Sequence, residues 1–259
     1  MNNTIIFKTG KTMFAIALIG MGALHLTSGH FLFDFPVPPT FMGGTIPAYV
    51  NGVLLIAAGV LMLTKKQALI GALLAAFIFL AFFVVRHIPL LIMWENMPGE
   101  RTSATECVLF FGGALMLAGL ILKSRGTQQR GHLLFIIGEY AFGTALFVFG
   151  ILHYVSEAFV VSVIPKWIPW KEFWAYFVMT GFFAAGISIF IQRLVRLSSL
   201  LVSLMFLGFI CLMHIPLVIA IPGQESQWTN LFVPIGLSGI ALMLAGATAE
   251  KRWFAGNKY

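Results

Sequence analysis

Charge is scarce in this chain, and that scarcity excludes a water-soluble domain. Only 10% of the 259 residues are Asp, Glu, Lys or Arg, 59% are hydrophobic, and mean hydropathy is +0.95. A globular domain carries roughly 25% charged residues, and a core of this length could not hide the excess apolar surface. Long polar stretches are also missing, so no soluble domain accompanies the apolar part. There is no P-loop, no nucleotide-binding glycine motif, no HExxH and no Ser/His/Asp pattern placed to work, which disfavours an ATPase or a hydrolase. Cysteine is limited to Cys107 and Cys211, with no C-x-x-C.

What the chain has instead is apolar runs of membrane-crossing length. Eight are legible, at roughly 12–31, 46–63, 68–92, 104–122, 133–155, 173–191, 198–220 and 229–248. Lipid offers the backbone no hydrogen-bond partner, so runs of this length are helices. The fold class is therefore all-α and polytopic, with the lipid bilayer as its main partner. The basic and apolar start could pass for a leader peptide. It lacks a small-x-small cleavage site, so it is expected to stay as the first helix.

The net charge of +7 and a pI near 9.7 do not point to nucleic acid, because the charge is sorted by side. Lys8, Lys11, Lys65, Lys66, Lys123, Arg125, Arg130, Arg193, Arg196, Lys251, Arg252 and Lys258 fall on one side, twelve of the sixteen basic residues. Arg101, Lys166 and Lys171 fall on the other, with Arg86 near the end of the third helix. By the positive-inside rule the rich side is cytoplasmic, which puts both termini there and the protein in a cell membrane (the inner one in a Gram-negative bacterium).

The chain also repeats itself. His87-Ile88-Pro89-Leu90 returns as His214-Ile215-Pro216-Leu217, 127 positions later, and Ala114–Gly119 returns as Ala241–Gly246 at the same offset. One more residue of offset carries Gly22–His25 onto Gly150–His153. Such order at one spacing marks two copies of one unit, 1–127 and 128–259. Four helices per unit bring the second copy in with the orientation of the first, so the repeats are expected to be parallel. Each outer loop after a unit's first helix is apolar and rich in Pro or aromatics, around Asp34–Pro39 and Ile164–Trp170. These loops read as an interfacial belt or as a lid over a pocket.

The set Gly150, Leu152 and His153, the loop Pro165, Trp167, Pro169 and Trp170, the start Phe173-Trp174-Ala175-Tyr176, and then Gly186 and Arg193 resemble the DoxX-like membrane family. The first copy matches more loosely, through Gly22 to His25, Pro47-Ala48-Tyr49 and Gly59, with no tryptophan in its loop. The family's usual member is one four-helix unit, and its name comes from a subunit of a thiosulfate:quinone oxidoreductase. The resemblance implies a four-helix bundle that is quinone-linked, with a membrane or redox protein as a partner.

The candidate site residues are His25, His87, His153 and His214. About 14 residues of helix at about 1.5 Å each carry His25 some 20 Å in from Lys11, so it can share an outer level with His87. The second copy repeats this with His153 and His214. Facing histidines on a bundle can ligate a haem iron or another metal, serve a quinone headgroup, or line a proton or substrate path. They can also be boundary residues bonded to backbone carbonyls. A small-molecule or lipid-like transporter and a non-catalytic partner protein are the alternative functions. Pro89 and Pro216 should each bend or end a helix.

Asymmetries narrow the site further. Arg86 precedes His87 whereas Met213 precedes His214, and Val233 takes the place of Glu106. Arg86 is expected to pair with Glu106 or Asp34, or else to meet an anionic substrate. Glu139 stands where the first copy has Lys11, and a Glu139–Lys11 pair between the two first helices would satisfy both. Cys107 and Cys211 near the outer ends of helices four and seven read as small apolar side chains, with an oxidised pair geometrically open. If one half keeps the chemistry, the expectation is the first.

Overall fold

A computed structural model describes residues 3–31, 44–93 and 97–248. Among them eight helices are long and apolar enough to cross a membrane. They are α1 (Asn3–Ser28), α2 (Thr45–Leu63), α3 (Ala68–Met93), α4 (Pro98–Ser124), α5 (Gln128–Val155), α7 (Lys171–Phe190), α8 (Val195–Ala220) and α9 (Glu225–Ala247). One short helix, α6 (Glu157–Val163), lies between α5 and α7. The expected all-α polytopic class is what the chain adopts, and each apolar run falls on one long helix. Large side chains such as Ile70, Phe77, Ile187 and Ile219 face outward. In a membrane helix such a face is the one that meets lipid.

The helices form a closed order of neighbours. α1 packs on α2 and α9, and from α2 to α5 each long helix packs on the next. α5 then packs on α7, α7 on α8 and α8 on α9, while α4 and α9 touch across the middle. The two most extensive pairings, α4 with α5 and α1 with α9, are built on glycine. A Cβ on Gly112 would stand 2.7 Å from Gly138 O, and a Cβ on Gly239 would stand 2.6 Å from Gly10 O. Small residues let backbones approach where lipid supplies no hydrophobic drive between helices. Around these crossings sit Phe14, Phe110 and Phe142, all buried, with Phe79 stacked on Phe110 at 4.6 Å.

Pro89 and Pro216 do not end their helices. Each is preceded by a π-helical turn, Phe83–His87 and Ile210–His214, and the helix then runs on. Ile88 N donates to Phe83 O and Ile215 N to Ile210 O, each five residues back. The wider turn absorbs the missing proline donor by shifting the ladder one residue. It also places a histidine at the last position of each turn.

Candidate functional site

The π turn of α3, with Arg86 and His87, and the helix α4, with Glu100 in its first turn and Cys107 farther along, bring four polar side chains into one buried cluster. Glu100 is fully buried, His87 is 1% exposed, Arg86 7% and Cys107 8%. His87 Nδ1 hydrogen-bonds Glu100 Oε1. Arg86 Nη1 donates to His87 Nε2 at 2.9 Å, and Cys107 Sγ lies 3.2 Å from that same nitrogen. Since a guanidinium can only donate, Nε2 is the ring's acceptor and Nδ1 carries the hydrogen given to Glu100. Arg86 Nη2 also stands 3.7 Å from Glu100 Oε2, which closes the cluster as an ion pair. The placement is physically coherent. Glu100 lies in the first turn of α4, where the helix N-terminus favours negative charge. A buried carboxylate and guanidinium are tolerable only when paired and hydrogen-bonded.

This cluster borders a cavity of about 280 Å³ reached by His25, Asn51, Arg86, His87, Glu106 and Cys107. His25 donates Nδ1–H to Met21 O at 2.8 Å, so its Nε2 remains an acceptor. At the same cavity His30 Nε2 meets Glu225 Oε2 at 3.3 Å, tying the end of α1 to the start of α9. A second cavity, of about 800 Å³, takes His153 and His214 together with Phe149, Phe182, Phe206 and Phe209. His153 bonds Phe149 O at 2.9 Å as His25 bonds Met21 O, while the buried Nδ1 of His214 has no hydrogen-bond partner. Glu106, Asn230 and Val233 border both cavities.

The structure therefore gathers the four histidines in pairs, His25 with His87 and His153 with His214, one pair to each cavity. It corrects other expectations. Beside the Arg86–His87 pair the structure adds an acid, Glu100, which sequence reading left on the outer acidic face, while the expected Glu106 borders the same cavity. Asp34 lies outside the described residues. Glu139 does not meet Lys11, because α5 packs on α4 and α7 whereas α1 packs on α2 and α9, and its neighbour is Gln192. Both cysteines are free, Cys107 buried and Cys211 exposed, so the oxidised pair does not form. Cys211 should then react with a membrane-permeant maleimide about tenfold faster than Cys107. Peptide mass spectrometry reads this directly, and equal rates would contradict the buried placement.

Among the described residues no group of three or more His, Cys, Asp or Glu side chains is set to hold a metal ion. Both nitrogens of His87 are engaged, which leaves it no lone pair for an iron. No family model, curated protein or solved structure matches this chain. What the fold itself defines is an integral membrane protein, a bundle of eight apolar helices in contact with lipid.

Proposed function

We propose that this is a DoxX-like, redox-linked membrane protein whose first-half cavity receives the headgroup of a quinone. The observation that carries the reading is the buried Arg86–His87–Glu100 cluster opening on a small cavity inside an otherwise apolar bundle. A quinone presents carbonyl oxygens that accept hydrogen bonds, and its reduction takes up protons. Arg86 supplies a fixed donor there. His87 lines the cavity with both ring nitrogens engaged, Nε2 by Arg86 and Nδ1 by Glu100, so its part is to position the guanidinium. Haem fits less well, since His87 has no free nitrogen.

The same reading takes the chain as two parallel four-helix units, 1–127 and 128–259, with both termini cytoplasmic. Supporting it, the π turns recur at the 127-residue offset, and the glycine crossings recur within one residue of it, Gly112 onto Gly239 and Gly10 onto Gly138. Nine basic residues among the described ones, from Lys8 to Arg196, keep to the expected cytoplasmic side.

The test is a binding measurement on the purified protein in mild detergent. A short-chain quinone should bind to the wild type. The double variant Arg86→Met with Glu100→Gln should weaken it about ten- to hundredfold, the loss of one or two charge-assisted hydrogen bonds. A wild type that neither co-purifies with nor binds quinone sinks the reading, as does undiminished binding by the double variant.

A further inference from the structure

The two halves differ in a patterned way. At the 127-residue offset Arg86, Glu100, Glu106 and Cys107 correspond to Met213, Gln227, Val233 and Pro234. The second half has none of the cluster's charges and shares only the histidine, whose Nδ1 is buried and unpartnered. Its cavity is nearly three times larger, about 800 Å³ against about 280 Å³, and is walled mainly by phenylalanine and aliphatic side chains. Trp167 and Trp170 border it and are 60% and 77% exposed, as side chains at a membrane interface should be.

We propose that the halves hold one ligand between them: a quinone whose head sits in the first-half cavity and whose isoprenoid tail lies in the second. The inference rests on the quinone reading for the head alone. Three observations carry it. The cavities adjoin, since Glu106, Asn230 and Val233 border both. Their chemistry is complementary, one charged and compact, the other apolar and long enough for a chain. The larger cavity lies in the range of small-molecule sites, whereas the smaller alone, at about 280 Å³, could not hold a tailed quinone. A compact charged pocket beside a long apolar one is what a head-and-tail ligand asks of a two-part site.

The driving force for the tail is limited. Lipid or detergent already solvates it, so the cavity adds close packing rather than removal from water. The expected gain is on the order of tenfold over a tail-less quinone of the same head, compared at equal mole fraction in the micelle. Two glycines are places to narrow the cavity, because the first side-chain atom added there meets no backbone. A Cβ on Gly181 would meet only Met205 Sδ, at 3.4 Å, and one on Gly208 would meet nothing within 4 Å, though both residues border the cavity.

Gly181→Phe and Gly208→Phe should each abolish the gain for the long-tailed quinone and leave the tail-less one unchanged. Full retention of the gain in both variants, or equal binding of the two quinones by the wild type, would overturn the proposal while leaving the head reading intact. A plain polyprenol bound with the same sensitivity to Gly181→Phe, with no binding of tail-less quinone, would keep the tail site and remove the head reading. Binding of none of the three ligands removes both.

Discussion

Glu100→Ala should lower the stability of the folded bundle by about 3–5 kcal/mol, the usual cost of removing one partner from a buried ion pair. Glu100 is fully buried, accepts from His87 Nδ1 and faces Arg86 Nη2 at 3.7 Å. Truncation takes away a fully buried acid that both Arg86 and His87 meet. Glu100→Gln should cost less, because an amide oxygen can still accept from His87. The second half supplies the neutral alternative, Met213 and Gln227. Arg86→Met combined with Glu100→Gln should therefore be more stable than Glu100→Ala, and the two changes should be non-additive. Thermal unfolding in detergent reads the series. A Glu100→Ala protein as stable as the wild type, or a double variant no better than the sum of its singles, would show that the cluster is not an energetic unit.

That cluster also marks the limit of sequence reading. The eight helices were legible because hydrophobic length in a bilayer maps almost directly onto structure. His25 and His87 could be placed at one level from helical rise alone, and they do border one cavity. Partner choice was not legible. Glu100 follows Met97 and Pro98 in a stretch that reads as loop, and only the continuation of α4 down to Pro98 turns it inward. The one signal for it was the repeat, in which Gln227 occupies the equivalent place. Glu139 failed for the opposite reason. Its comparison with Lys11 assumed that the two first helices meet, whereas each packs instead on a fourth helix of the opposite half, α1 on α9 and α5 on α4. The π turns were likewise hidden. A proline two residues after a histidine announces a lost hydrogen bond, but not that the helix absorbs it and continues.

Gly138→Leu should leave little folded protein, and even Gly138→Ala should cost about 1–3 kcal/mol or more. The atom at fault is the Cβ itself, which would stand 2.6 Å from Met116 N and also against the backbone carbonyl of Gly112. No rotamer relieves contact with backbone, so α5 would have to move off α4. The matching crossing predicts a matching loss: a Cβ on Gly10 would stand 2.6 Å from Met243 N, which forces α1 off α9. Gly181→Ala is the control, because its Cβ has room and alanine favours the helix by about 0.8–1 kcal/mol. Monodisperse yield after detergent extraction should thus collapse for Gly138→Leu and Gly10→Leu and hold for Gly181→Ala. Equal yields for all three would mean that the helices are not packed backbone to backbone at these glycines. The consequence would reach the site, because the wall common to both cavities is carried by these helices, Glu106 on α4 and Val233 on α9. A bundle loosened at either crossing cannot hold that wall in register with Arg86 and His87. Partially folded Gly→Ala variants should accordingly lose any quinone affinity that the wild type shows, in step with the fraction that remains folded.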